Sequence, residues 1–291
     1  MDNITKAYDR KNKKIVIEKV PKGANFLYKN RFGRIILKLA TKRFTSAFVG
    51  FYMNRKLSTI HIKNFIKDNK IDMNEYPKVT YKSFNNFFSR KIKERRRVFP
   101  EDKNLFCAPC DSKLTVFRLD KEQEFEIKNK KYTLESILRN DELAEEYKNG
   151  YFLVFRLSVT DYHRYAYIDD GEVVKEKKIK GLYHTVGPIA FINNKVYEEN
   201  HRVYQVLKTE NFDDLIEMEV GALLVGKIVN NDVKEFKKGE EKGYFLFGGS
   251  TIVVIVKENV IKIDDDILKN SNEGIETIVK QGEKIAKKIR Q

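Results

Sequence analysis

After Pro100 the sequence breaks into short β-forming runs set close together, at residues 114–119, 152–157, 164–168, 173–179, 203–207, 215–220, 223–229, 243–247 and 251–256. Runs this short and this rich in Val, Ile, Phe and Tyr are buried strands, and a helical bundle cannot accommodate them. A helical pattern interrupts them at about residues 134–147, and Ile275, Ile278, Val279, Ile285 and Ile289 predict a closing helix after Asn272. Before Pro100 the period changes. Residues 14–18 read as one arm of a hairpin, residues 25–70 as helical, and residues 83–93, with Phe84, Phe87, Phe88 and Ile92, as an amphipathic helix. Helices first and strands later predict an α+β fold: a mainly helical layer over residues 1–99 and a β-rich core over residues 100–291. No low-complexity linker separates them, so the boundary is a change of texture.

A chain of 291 residues with 41% hydrophobic side chains can bury a real core, which excludes wholesale disorder. Two cysteines only three positions apart exclude a disulfide-stapled scaffold. The CxxC of Cys107 and Cys110 would need two further ligands to close a zinc site, and no second CxxC or paired His supplies them, so a structural role is expected. No secretory leader or membrane span is visible, and an intracellular chain is expected.

The net charge of +15 is concentrated. From Lys19 to Lys67 there are 12 Lys and Arg and no acidic residue. Within that stretch Phe32, Ile36, Leu39, Ala40, Phe44, Ala47 and Phe51 recur at spacings near three and four, with Arg34, Lys38 and Lys42 between them. This is a basic amphipathic helix, or two helices broken near Gly50. Two readings are open: the apolar side packs on the protein's own core, or it enters an anionic bilayer surface while the cations meet headgroups. Nucleic acid is not expected as a partner, because no zinc-finger or RNA-recognition signature accompanies the basic stretch.

Four histidines are present. His61 lies in the basic stretch and His201 in a polar turn, while His163 follows the apolar run 152–157 within Asp161-Tyr162-His163-Arg164, where a strand end could aim it into a pocket. The most unusual segment is Gly248-Gly249-Ser250-Thr251, flanked by β-forming runs on both sides. A hairpin turn is the plain reading. A hydrolase nucleophile would want a helix after the serine, and here a strand follows. A third reading has Ser250 Oγ attack the carbonyl of its own preceding residue, Gly249, with a neighbouring base taking the proton.

At this point several segments, in order, resemble the phosphatidylserine decarboxylase family. They are Phe87-Phe88-Ser89-Arg90, Ala108-Pro109-Cys110-Asp111-Ser112, Asp161-Tyr162-His163-Arg164, Val225-Gly226-Lys227-Ile228-Val229 and Gly248-Gly249-Ser250-Thr251. Many members carry a second His three residues after the first, and that position is Ala166 here, which leaves His163 or His184 as the base; the intact motif favours His163. The resemblance implies that Asp111 orients His163, that His163 deprotonates Ser250, and that the chain cuts itself between Gly249 and Ser250. The products would be a β chain of residues 1–249 and an α chain of residues 250–291, held together by strand pairing and headed at 250 by a pyruvoyl group. That group would form a Schiff base with phosphatidylserine and release carbon dioxide, giving phosphatidylethanolamine. The resemblance further implies a peripheral enzyme on the cytoplasmic side of the cell membrane, with His184 touching substrate and a homodimer left open. Two other classes remain: an uncut Ser250–His163–Asp111 hydrolase, and a non-enzymatic basic protein that binds anionic lipid or nucleic acid.

Overall fold

A computed structural model describes residues 4–127, 130–223, 227–248 and 250–289. The core is a sheet of ten strands. At its centre run Asp214–Val220, Ser250–Val256, Tyr151–Leu157 and Ser112–Arg118, each antiparallel to the next. The strand Ser250–Val256 is buried at every position. That is why it reads as a continuous apolar run and does not alternate. A smaller sheet of Arg164–Ala166, Glu241–Phe245 and Ile228–Asn230 accompanies it.

The C-terminal segment does not form the expected helix. A helix, Asp265–Asn272, precedes Asn272's turn, and the residues after it make two strands, Glu276–Val279 and Lys284–Lys288. Gly274 and Gly282 hold φ of +69° and +82°, which a helix cannot contain, and Thr277 and Val279 bury at a spacing of two. Glu276–Val279 inserts between Ser112–Arg118 and the N-terminal strand Ile4–Asp9. Residues 250–289 are thus woven through the sheet at two separate places. The pattern at 134–147 also divides, into Leu134–Leu138 and Asp141–Glu145, because Arg139 takes φ +48°.

The N-terminal hairpin, Ile4–Asp9 with Lys14–Lys19, forms the edge of the ten-stranded sheet, and the helical layer follows it as α1 (Lys22–Lys29), α2 (Arg31–Ala40), α3 (Arg43–Met53), a 3-10 turn (Lys56–His61) and α4 (Ile62–Asp68). The breaks fall at Asn30, which caps α2 through its side chain, and at Thr41–Lys42; Gly50 lies inside α3. The helix expected over 83–93 shortens to α5 (Phe84–Phe88), capped by Ser83. In α2 and α3 most of the large apolar residues share the exposed side with the cations, and Leu37 is the large apolar residue turned to the core. Gly33, Ser46 and Gly50 face inward, while Phe32 (75% exposed), Ile35, Ile36, Leu39, Phe44 (81%), Phe48 and Phe51 face out, with Leu57 and Ile60 continuing the surface. The reading in which this apolar side packs on the protein's own core is therefore excluded. No helix among the described residues is long and apolar enough to cross a membrane.

Candidate active site

Two connections bring His163 and the residues before Ser250 together. Residues 158–163 join Tyr151–Leu157 in the large sheet to Arg164–Ala166 in the small one. Residues 246–249 join Glu241–Phe245 in the small sheet to Ser250–Val256 in the large one. The strands at both ends are hydrogen-bonded partners, with Ser250 opposite Leu157 and Tyr244 opposite Arg164. The two loops therefore cross between the sheets side by side, and Phe245 N donates to His163 O at 3.0 Å. Gly249 itself lies outside the described residues.

The His163 loop is rigid. Asp161 accepts from Ser158 N and from Lys113 Nζ, both at 2.8 Å, through one carboxylate oxygen. Its carbonyl lies 2.8 Å from His163 Nδ1. A carbonyl only accepts, so Nδ1 carries the hydrogen and Nε2 keeps its lone pair. Phe88 stacks on the imidazole with ring centroids 4.1 Å apart, and Phe247 packs on Phe88 at 5.4 Å. Burial pushes the imidazole down to about 4, against the pull of Asp161, so His163 is neutral at physiological pH.

Three buried polar atoms in the two loops and the adjoining strand have no partner: His163 Nε2, Ser250 Oγ and Thr251 Oγ1. Ser250 is fully buried. A desolvated hydroxyl and a desolvated imidazole nitrogen, one a donor and one an acceptor, are complementary groups whose isolation is costly.

The expected Asp111–His163 pair is not made. Asp111 is buried, and its two oxygens accept from Arg97 Nε and Nη2 at 2.8 Å each, from Lys280 Nζ at 2.9 Å and from Gln281 N at 3.0 Å. Burial alone would raise its carboxyl, but the Arg97 guanidinium and the Lys280 ammonium outweigh it and hold it below the usual range. Arg97 also grips Glu75 at 3.0 Å, so Asp111 ties the N-terminal layer to the segment 280–281. Removing it leaves the buried Arg97 with Glu75 as its carboxylate partner and frees the half-exposed Lys280, and breaking a buried pair from one side costs about 3–5 kcal/mol. In the Ser250→Ala background, Asp111→Ala is expected to lower the melting temperature by roughly 10 °C, measured by thermal denaturation. An unchanged melting temperature with cleavage lost in the Ser250-containing protein would return Asp111 to the chemistry.

His184 is committed elsewhere. Its Nδ1 meets the Tyr28 hydroxyl of α1 at 3.2 Å, and Nε2 lies 3.5 Å from a Glu199 carboxylate oxygen, so the ring is built into the contact between α1 and the segment 184–199. Ala166, where many relatives would carry a second His, is buried with its N–H on Pro109 O. His61 is exposed and takes the Tyr52 hydroxyl at Nε2. Cys107 and Cys110 are buried free thiols, and burial raises Cys107 to about 11 and Cys110 well above the ordinary thiol value, so neither is a thiolate at neutral pH. Three contributors to the site escaped sequence reasoning: Asp161 as the anchor of the His163 ring, Lys113 as its counter-charge, and Phe88 as its stacking partner. The Asp two residues before a His after a strand was the one local signal for the first.

The neutral imidazole has a pH consequence. The self-cleavage expected with His163 as base should be independent of pH from neutrality down to about 5 and half-maximal near 4. The folded value lies below the ordinary 6.5, so the group's contribution to stability is complete above pH 6.5 and is lost as pH falls from 6.5 toward 4, about 3 kcal/mol in all. A cleavage midpoint near 6.5 would mean an imidazole open to water.

Comparison with known proteins identifies the family. The family model for phosphatidylserine decarboxylase matches residues 84–287. Phosphatidylserine decarboxylase proenzyme 2 of Clostridium acetobutylicum is 51% identical over 281 residues, 96% of this chain and 97% of that protein. The proenzyme of Clostridium tetani is 43% identical, covering 98% of both chains, and that of Ruminiclostridium cellulolyticum 41% identical, covering 96% of both. With the matched span enclosing α5, Asp111, His163 and Ser250, this chain belongs to the phosphatidylserine decarboxylase family.

Proposed function

We propose that this chain is a proenzyme that cleaves itself between Gly249 and Ser250 and then decarboxylates phosphatidylserine to phosphatidylethanolamine. One observation carries the assignment of residues: Ser250 Oγ and His163 Nε2 are buried and unpartnered, in and beside two loops that run together between the sheets.

His163 Nε2 takes the hydroxyl proton, and Ser250 Oγ attacks the Gly249 carbonyl carbon, exchanging the amide for an ester. Loss of the Ser250 α-proton expels the Gly249 carboxylate and breaks the chain. Water then replaces the amine nitrogen, which leaves as ammonia, and position 250 becomes a pyruvoyl group. The site fits such a group: it is small, uncharged and would stand where a buried hydroxyl now has no partner, opposite the apolar Leu157. Its ketone supplies the electron sink into which the carboxylate's electrons pass as carbon dioxide leaves. His163, fixed at Nδ1 by Asp161 O, keeps Nε2 available to carry a proton to and from the reacting carbon. Residues 250–289 stay in place because Ser250–Val256 is paired on both sides, and Arg10 binds Asp264, Asp266 and Glu283 across the cut.

The exposed apolar face of α2 and α3, ringed by Arg31, Arg34, Lys38, Lys42 and Arg43, suits an anionic phospholipid surface on the cytoplasmic side. Diacyl substrate stays in the bilayer, so the enzyme must come to it as a peripheral protein. Intact mass tests the chemistry: the small chain should begin at residue 250, be blocked to sequencing from its N-terminus, and weigh one ammonia less than a Ser-initiated chain. An active preparation consisting of a single chain would overturn it.

A further inference from the structure

Arg90 is 5% exposed and lies just after α5. Its guanidinium is sandwiched between two rings, 4.1 Å from the Tyr76 centroid and 4.6 Å from that of Phe87. Nη1 donates to Phe87 O at 3.2 Å. Nε and Nη2 are buried and have no acceptor at hydrogen-bond distance and angle, with the Tyr76 hydroxyl the neutral oxygen that interacts with the guanidinium. These two atoms form one straight edge of the fork, the edge that meets two oxygens of one anion. Arg97 shows the same edge in use a short distance along the chain, with Nε and Nη2 on the two oxygens of Asp111 at 2.8 Å each. Tyr81 packs on the same Phe87 ring at 5.2 Å, and its hydroxyl is also buried without a partner. A buried cation with its bidentate edge open, next to an idle hydroxyl donor, has the form of an anion site.

The place suits a substrate. Phe88, between Phe87 and Arg90 in sequence, carries His163 on its ring at 4.1 Å. Arg90's charge is one of the effects that disfavour protonation of His163, which places the two in one electrostatic neighbourhood. On the other side, Phe84 N donates to Ser58 Oγ at 2.8 Å, and Ser58 sits in the turn whose Leu57 and Ile60 are 74% and 67% exposed. The apolar outer face therefore runs up to the element that bears Arg90.

We propose that the Nε–Nη2 edge of Arg90, with the Tyr81 hydroxyl, holds the phosphodiester of the lipid headgroup and so positions its serine moiety against His163 and residue 250. The inference rests on the decarboxylase reading above. The substrate has a second anion, its carboxylate, but that charge disappears in the transition state. A guanidinium on the carboxylate would stabilise the ground state and oppose the reaction. The phosphodiester keeps its charge throughout and offers two non-bridging oxygens, so holding it strengthens binding and orientation without raising the barrier.

The test compares correctly processed wild-type, Arg90→Met and Arg90→Lys enzymes on dihexanoyl phosphatidylserine and on an O-alkyl serine. The second compound has the same amine and carboxylate but no phosphate. Arg90→Met should raise KM for the phospholipid ten-fold or more with kcat within about three-fold, and Arg90→Lys should recover part of the loss. All three should turn over the O-alkyl serine alike. Equal losses on both substrates, or a fall in kcat at constant KM, would overturn the phosphate assignment. If Arg90→Met fails to process, calorimetry of glycerophosphoserine with the Ser250→Ala proenzyme, with and without Arg90→Met, replaces the kinetics. Affinity there should fall ten-fold or more, and an unchanged affinity overturns the proposal. Wild-type enzyme that decarboxylates neither compound would instead overturn the decarboxylase reading itself.

Discussion

Ser250→Ala and His163→Ala will each leave the purified protein as a single chain of 291 residues on a denaturing gel, where the wild type gives two. The expected loss is close to complete for Ser250→Ala, because the hydroxyl of residue 250 is the one borne by the residue that directly follows the Gly249 carbonyl. For His163→Ala the loss of a positioned base is worth 10²- to 10⁴-fold in rate. Combining the two should add little, since they act as one unit. Neither change should unfold the protein. Ser250 Oγ makes no hydrogen bond in the uncut chain, so its removal forfeits none, and His163→Ala gives up the single Nδ1 bond to the Asp161 carbonyl, a cost of about 1–3 kcal/mol. His163→Ala does open a void against Phe88, which makes His163→Gln the better control of fold. Cleavage that survives in His163→Ala and disappears in His184→Ala would reverse the assignment of the base. The geometry favours His163, whose Nε2 is buried without a partner, whereas His184 Nδ1 is taken by the Tyr28 hydroxyl.

The chemistry was legible in the sequence where it is written in contiguous residues. Asp161-Tyr162-His163-Arg164 and Gly248-Gly249-Ser250-Thr251 each sit at the end of a strong β run, and those runs became Tyr151–Leu157 and Ser250–Val256. What faces His163 was not legible. Asp111 and Asp161 are both plausible partners for an imidazole on paper. The choice is made by Arg97 and Lys280, which lie 14 and 169 residues from Asp111 and claim its oxygens. No local pattern carries that information. The C-terminal misreading has a different cause. Isoleucines at 275, 278, 285 and 289 fit a helical stripe, and only the left-handed φ of Gly274 and Gly282 turns the segment into strands. At Gly282 a Cβ would meet Val98 O at 2.6 Å, so the turn tolerates no other residue without moving the chain. The amphipathic character of residues 25–56 was plain, but which side faced out was not. Periodicity reports two faces and never which of them has a neighbour.

That outward face yields the second large effect. Arg34→Glu with Lys38→Glu should weaken co-sedimentation with vesicles containing phosphatidylserine or phosphatidylglycerol by at least ten-fold. Each Lys or Arg near an anionic surface contributes on the order of 1 kcal/mol, and reversal replaces attraction with repulsion, so the pair changes binding by about 2–4 kcal/mol. The difference should shrink with salt, as the Debye length falls from about 10 Å at 0.1 M to about 3 Å at 1 M. Charge alone would hold the protein above the lipid, and the apolar residues must lower it to the headgroups. Phe44 is 81% exposed and Phe48 67% exposed, so Phe44→Ser with Phe48→Ser removes membrane contact while leaving the folded core and self-cleavage intact. Burying each ring in the interface is worth about 2 kcal/mol. Activity on vesicles should therefore fall ten-fold or more, while activity on dihexanoyl phosphatidylserine below its micelle concentration stays near wild type. Equal losses on the two substrates would show these rings acting within the protein. They have no such place in the fold, since Ser46 and Gly50 occupy the inward side of the same helix and the phenylalanines stand on the other.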